Sequence, residues 1–267
     1  MLLLSHVDPS ENILDQLAAW QAEVDAEPTY AAKVAEAARA WTAHRQTSTM
    51  KEVEVLLSEM CCGGRRCVYC EDSLASDIEH IWPKSLYPSL VFDWLNYLYA
   101  CTPCNRAKGA NFAIYPTAAR RWGLVSRPPG VPPSVSPPEG KMVFINPRSE
   151  DPTRFFMLDL RNTFRLHLMP NMQRQDLERA DYTLRCLPLN EDPLCAEREN
   201  EFGNYCARLK EYLHDKSGDA PTDRLERRRD ALLRLRHQTI WFEMKRQHKS
   251  IPELQALFEE APEALKW

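Results

Sequence analysis

Four cysteines in the middle of the chain have the spacing of a metal site. Cys67, Cys70, Cys101 and Cys104 form two CxxC pairs separated by 30 residues. Two residues between cysteines let both thiolates of a pair face one ion, and four thiolates complete the closed tetrahedral shell of a structural zinc ion. The sequence therefore predicts a structural Zn²⁺ held by these four residues.

The other cysteines leave alternatives open. Two unrelated CxxC pairs, or a redox CxxC, would explain the same spacing, although no thioredoxin-like βαβ pattern surrounds the pairs. Cys61 and Cys62 are rivals for a ligand position. Cys186, Cys195 and Cys206 lie in segments with a helical pattern, where they are expected to be ordinary buried thiols.

A second kind of chemistry lies between and beside the cysteine pairs. In the stretch "DIEH", Glu79 offers a hard oxygen donor for a divalent cation, and His80 is a base that can be neutral near pH 7. Asn105 follows Cys104 directly, so the zinc would constrain its amide oxygen as a second ligand. One carboxylate and one amide leave open positions for water and phosphate oxygens, which suits Mg²⁺. The cation would polarise a scissile phosphate while His80 activates the attacking water.

The order of these residues resembles the HNH, or ββα-metal, endonuclease family. The resemblance rests on "IEHIWPKS", "LNYLYA" and "CTPCNRAKG" and covers about 45 residues of the chain. It implies that Glu79 and Asn105 bind Mg²⁺ or Mn²⁺ and that His80 is the general base. It further implies that Asn96 braces the loop holding the histidine and that Lys108 lies near the phosphate. Glu replaces the commoner Asp at 79, and Asn the commoner His at 105.

A weaker resemblance covers residues from about Cys67 to Arg198. It includes "FINPRSEDPTRFF" and "LPLNEDPLCAERE" and is similar to the PtuB family, the bacterial HNH nuclease subunits of Septu and some retron anti-phage systems. This resemblance implies that the chain is the nuclease of a complex with an ABC-type, PtuA-like ATPase subunit.

The bulk charge gives no support to nucleic-acid binding, because the net charge is −4. Local charge does: residues 101–138 contain no acid, and Lys84, Arg106 and Lys108 are the predicted nucleic-acid contacts. Arg120 and Arg121 are as well explained by a solvated helix face. Residues 11–60 carry nine acidic and four basic residues. We therefore expect this arm to pack on the rest of the chain or on a partner rather than on a phosphate backbone.

The predicted fold class is α+β and mostly helical, with a zinc-stapled ββα-metal core between two helical regions. We predict a helical arm over residues 1–60, a nuclease core over 61–126, a proline-rich connector over 127–140 and a mostly helical region over 141–267. The last of these is predicted to end in one long helix that begins near Thr222 or Asp223. Since "MLLL" is too short for a signal peptide and no apolar run approaches a membrane span, we expect a cytoplasmic protein.

Two classes of function compete on this evidence. The first is a Mg²⁺-dependent endonuclease. Its substrate could be DNA, RNA or tRNA, because the site would recognise a phosphate and not a base. The second is a non-catalytic zinc module that binds nucleic acid or a protein partner; other metal hydrolases make a smaller third class. The set Glu79, His80 and Asn105 separates the first two, because a bare zinc module has no need for it.

Overall fold

The computed structural model describes residues 1–117, 121–126 and 135–267. Arg120 and residues 127–134 of the predicted connector lie outside the described residues. The fold mixes α and β structure, and helices dominate it. The helices are α1 Glu11–Asp25, α2 Tyr30–His44, α3 Ser48–Glu59, α4 Thr102–Lys108, α5 Arg174–Cys186, α6 Asp192–Ser217, α7 Thr222–Leu233, α8 Gln238–Gln247 and α9 Pro252–Glu260. The strands are β1 Asp77–His80, β2 Tyr97–Ala100, β3 Ala113–Pro116, β4 Gly123–Leu124, β5 Gly140–Met142, β6 Phe156–Leu158 and β7 Leu166–Leu168.

The three N-terminal helices form an apolar layer against the centre of the molecule. On α1 the buried residues Ile13, Leu17, Trp20 and Val24 recur at intervals of three or four, as one face of a helix requires. The helices share a hydrophobic cluster with the buried rings of strand β2, including Tyr97. The acidic arm therefore packs on the rest of the chain, one of the two arrangements expected from its charge.

Strands β1 and β2 form an antiparallel pair in which Asp77 faces Ala100 and His80 faces Tyr97. Helix α4 begins two residues after β2 and packs against β1. Short antiparallel sheets follow, one in the order β4-β3-β5 and one pairing β6 with β7. Two strands and a helix thus bring the region between the CxxC pairs into one compact unit.

The C-terminal helices pack around α6, which contacts α7, α8 and α9. The predicted single long helix is wrong: α7 ends at Leu233 and α8 begins at Gln238. His237 interrupts the helix because its backbone adopts the left-handed conformation, with φ of 54°. Its buried ring lies 3.3 Å from Asp72, next to the first cysteine pair. A tertiary contact has therefore overridden the local helical preference.

Among the described residues, no helix is both long enough and apolar enough to cross a membrane.

Candidate active site

The four predicted zinc ligands converge at the centre of the molecule. Their sulfur atoms all lie within 4.8 Å of one another, and all four residues are buried. The Sγ atoms of Cys70 and Cys101 are 3.9 Å apart, close to the ~3.8 Å that a tetrahedron with Zn–S bonds of about 2.3 Å requires. The donor set and its spacing fit a zinc ion, so this cluster can hold one.

Each CxxC pair sits on a local structure that turns both thiolates inward. The first pair lies on a tight turn in which Glu71 adopts a left-handed backbone, with φ of 60°, and donates its N–H to the Cys67 carbonyl. The second pair spans the start of α4, where Cys101 is the N-cap. The buried carboxylate of Glu71 accepts the backbone N–H and the hydroxyl of Thr239, which ties the first turn to α8.

The remaining cysteines lie apart from this cluster in the structure. Cys61 is only partly buried, its thiol donates to the Leu57 carbonyl at 3.4 Å, and burial raises its pKa to about 12. Cys186, Cys195 and Cys206 are buried in the helical core, as expected from the sequence.

Strand β1 and helix α4 meet through two successive side-chain pairs. Asp77 and Glu79 lie on one face of the strand, and Asn105 and Lys108 lie one turn apart on the helix. The Asn105 amide donates to Asp77 at 3.1 Å. Lys108 lies 2.5 Å from Glu79, and this ion pair is almost fully buried. The structure therefore gives the two predicted cation ligands, Glu79 and Asn105, different partners.

Lys108 is placed where it cannot meet a phosphate. Its side chain has no exposed surface, and its ammonium also donates to the His80 carbonyl at 2.9 Å and lies over the Phe144 ring. Its position near the phosphate, implied by the family resemblance, is thus not what the structure shows. Lys108 instead stabilises β1 from inside the protein, through its contacts with the Glu79 carboxylate and the His80 carbonyl. A buried ammonium cannot give up these partners without a large cost in free energy.

His80 lies on the opposite face of β1, beneath the N-terminal helices. Its Nε2 is 3.0 Å from the Val91 carbonyl oxygen, and its ring packs edge-on against Trp41 and Tyr97. A carbonyl only accepts hydrogen bonds, so Nε2 carries the proton and Nδ1 is the unprotonated acceptor. Burial lowers the pKa of His80 to about 3, and the positive charge of Lys84 is the second cause of this shift. The imidazole is therefore a neutral base at physiological pH.

Asn96 fastens the loop that follows His80. Its amide oxygen accepts the Trp82 N–H at 2.7 Å, and its amide nitrogen donates to the carbonyls of Trp82 and Leu90. The backbone of Asn96 also accepts the N–H of Ile81, the residue after His80. Such contacts are those of a bracing residue, which is the role that the resemblance implies for Asn96.

A residue from beyond the connector supports the same turn. Arg148 donates to the carbonyls of Trp94 and Tyr97, which flank Asn96, and its guanidinium stacks on the Trp94 ring at 4.6 Å. The sequence pattern indicates no role for Arg148. The only available signal was its place in the stretch "FINPRSEDP", which carried the wider resemblance but no motif chemistry.

An open cleft of about 510 Å³ lies beside β1 and α4. Asp77 and Asn105 line it together with three basic residues, Arg45, Lys84 and Arg106. Two of these, Lys84 and Arg106, are predicted nucleic-acid contacts. The N-terminal arm, which its net charge led us to expect away from phosphates, lines one side of this cleft and contributes both a cation, Arg45, and an acid, Glu54. Net charge could not reveal this, because it averages over residues that face different ways.

The described site is thus a β-hairpin and a helix joined by a four-cysteine centre, with a buried neutral histidine and a cation-lined cleft beside it. No family model matches the chain. Part of the chain is similar to Septu protein PtuB from Bacillus thuringiensis, with 39% identity over 64 residues. The match covers 22% of this chain and 24% of that protein, so the chain matches about a quarter of the relative's length. The resemblance to PtuB seen in the sequence is confirmed for this segment.

Proposed function

We propose that this chain is a Mg²⁺- or Mn²⁺-dependent endonuclease of the HNH type that hydrolyses phosphodiester bonds of nucleic acid. The observation that carries the proposal is the state of His80. Its Nε2 is engaged by the Val91 carbonyl, which leaves Nδ1 as a base of fixed orientation. Trp41, which packs edge-on against the imidazole, and Lys84, which is close enough to lower its pKa, both line the cleft beside it.

The residues divide the work of hydrolysis among them. His80 Nδ1 accepts a proton from the attacking water, and Asn96 keeps the loop after His80 in place. Arg45, Lys84 and Arg106 hold the phosphate backbone in the cleft and supply its non-specific affinity. A divalent cation, when bound, neutralises charge that develops on the phosphate. The four-cysteine centre is structural, since a closed shell of four thiolates has no open position.

Cleavage of supercoiled plasmid and of total RNA in the presence of Mg²⁺ or Mn²⁺ tests this proposal. His80→Ala should lower the rate by ~10²–10⁴-fold, the usual contribution of a general base. Glu52→Gln, which changes an exposed acid on α3, is the matched control and should cut at the wild-type rate. Equal rates for His80→Ala and wild type would remove His80 from the mechanism.

A non-catalytic zinc module is the second candidate, and the burial of both Glu79 and His80 favours it. Such a module would bind nucleic acid or a protein partner without cutting. A gel-shift assay that detects binding, together with no cleavage in either metal, would support the module over the nuclease.

The similarity to PtuB supports a role in anti-phage defence. The wider resemblance implies an ABC-type ATPase, of the PtuA kind, as the partner that restrains the nuclease. Co-expression with a PtuA-like ATPase should give one peak in size-exclusion chromatography that contains both chains. A chain that stays separate from the ATPase and cuts DNA efficiently by itself would contradict the complex while leaving the catalytic assignment intact.

A further inference from the structure

We infer that the carboxylate that joins Asn105 in binding the catalytic cation is Asp77, and that Glu79 is a structural residue. This inference rests on the proposed function and refines its metal site. It departs from the ligand pair that the motif implies, and it follows from how β1 and α4 are packed.

Both carboxylate oxygens of Glu79 are already engaged inside the protein. Tyr69 donates its hydroxyl to one oxygen at 2.9 Å, and Lys108 lies 2.5 Å from the other. The Glu79 side chain is 2% exposed, and it does not line the cleft. A divalent cation at Glu79 would have to enter a buried site and would place its charge beside the Lys108 ammonium, which is strongly unfavourable.

Asp77 has the opposite environment. It is half-exposed, lines the cleft, and lies two residues before Glu79 on the same strand face. Its oxygens accept from the Ser76 hydroxyl and the Asn105 amide, both neutral donors. Each carboxylate oxygen has a second lone pair, so Asp77 can bind a cation without breaking an ion pair.

The contact with Asp77 also fixes the orientation of Asn105. A carboxylate only accepts, so the group that Asn105 turns toward Asp77 is its NH₂. This contact holds the two side chains together at the cleft, and a turn of the Asn105 amide about its last side-chain bond would bring its oxygen beside Asp77 as the second oxygen ligand. One carboxylate and one amide oxygen at the mouth of a basic cleft are a sparse shell of the kind that Mg²⁺ completes with waters and substrate phosphates.

Binding of Mn²⁺ to the full-length, zinc-loaded chain without nucleic acid tests the inference, with free Mn²⁺ measured by electron paramagnetic resonance. Asp77→Asn should weaken Mn²⁺ binding at least ~10-fold, because loss of an outer-shell partner alone typically costs 10–100-fold. Asn105→Ala should weaken it as well. The surface control Glu52→Gln should bind Mn²⁺ as the wild type does.

The discriminating variant concerns Glu79. Glu79→Gln alone leaves Lys108 buried without an anion and risks misfolding, so the double variant Glu79→Gln/Lys108→Met removes both charges together. With unchanged zinc content and circular dichroism, it should keep the wild-type Mn²⁺ affinity. Loss of Mn²⁺ binding in this folded double variant, unchanged binding in Asp77→Asn, or no binding by the wild type would each overturn the inference.

Cleavage assays on the same proteins separate this inference from the proposed function. If His80→Ala abolishes cleavage while Asp77→Asn binds Mn²⁺ and cuts like wild type, the nuclease proposal is supported and the Asp77 metal site is contradicted. If Asp77→Asn loses Mn²⁺ binding while the wild type cuts no nucleic acid, the Asp77 metal site is supported and the nuclease proposal is contradicted.

Discussion

The Nε2 atom of His80 lies 3.0 Å from the carbonyl oxygen of Val91, and the hydroxyl of Tyr97 donates to the same oxygen at 2.8 Å. One backbone carbonyl thus accepts from both the base and the residue opposite it on β2. Because this oxygen accepts the proton of Nε2, Nδ1 is the ring nitrogen that remains as an acceptor. The position of the base is therefore set by the loop around Val91.

The low pKa of His80 predicts a dependence of stability on pH. The folded chain holds this pKa at about 3, whereas an unfolded histidine has a pKa of about 6.5. The unfolded state therefore takes up the proton first, and stability present above pH 6.5 is lost as the pH falls toward 3. Between pH 7 and pH 5 the loss should be about 2 kcal/mol.

Urea unfolding of the wild type and of His80→Gln at both pH values measures this loss. The glutamine variant lacks the titrating ring and should lose correspondingly less stability on acidification. If the two proteins lose the same amount, protonation of His80 is not coupled to unfolding in the way its burial predicts.

Breaking the Lys108–Glu79 pair should destabilise the fold. Lys108→Met leaves the Glu79 carboxylate buried without its cation, and loss of one partner of a buried pair typically costs about 3–5 kcal/mol. The double variant Glu79→Gln/Lys108→Met should recover much of this loss. Equilibrium unfolding in urea provides the values. A single variant as stable as the wild type would show that the pair is solvated in solution.

Removal of zinc should unfold the core around the four cysteines. Zinc binding in small zinc-folded modules is worth on the order of 10 kcal/mol, so Cys67→Ser should give insoluble or protease-sensitive protein. Cys206→Ser alters a buried thiol of α6 and is the matched control; it should keep one zinc per chain. Well-folded wild-type protein without zinc in elemental analysis would rule out the four-cysteine site.

Arg148 should act on catalysis through the turn around Asn96. Arg148→Ala removes the donors to the Trp94 and Tyr97 carbonyls, which should let the loop after His80 shift. A displacement of about 1 Å can cost 10²-fold in rate, so kcat should fall while KM stays near the wild-type value. Arg154→Ala changes a nearby exposed arginine and should leave kcat unchanged. An equal change in kcat for both variants would point to a general effect on folding.

The basic wall of the cleft should control the salt dependence of nucleic-acid binding. Arg45→Ala and Arg106→Ala should each reduce the slope of log K against log[salt] by about 1, as expected for the loss of one phosphate contact. Arg227→Ala is the control, because this exposed residue on α7 pairs with Asp223 and lies outside the cleft lining. A slope that changes only with Arg227→Ala would move the binding surface to the C-terminal helices.

The local parts of the site were predictable from the sequence, and its tertiary parts were not. The CxxC spacing was enough to indicate the convergence of Cys67, Cys70, Cys101 and Cys104, because two short motifs impose their own geometry. The period of a strand also put Asp77 and Glu79 on the same face. Sequence alone could not show which carboxylate faces the cleft, since that depends on whether Lys108 is buried.

The surroundings of the buried Lys108 include Phe144, which comes from beyond the proline-rich connector. The same limit explains the missed roles of Arg45 and Arg148. Each residue comes from a segment distant in sequence, and its contacts with the site form only when that segment packs beside the β1–β2 hairpin. The left-handed break at His237 has the same origin, because its ring meets Asp72 beside the first cysteine pair.

The contact between Glu71 and Thr239 joins positions 168 residues apart, and this separation matters while the chain is being synthesised. All four cysteines have left the ribosome once Cys104 emerges, but Thr239 follows 135 residues later (239 − 104). At 5–20 residues per second this delay is roughly 7–30 s. During that interval the four thiols are without α8, the helix that later contacts the turn of the first CxxC pair through Glu71. Metal capture on the nascent chain would therefore rely on the hairpin, α4 and the N-terminal helices, without α8.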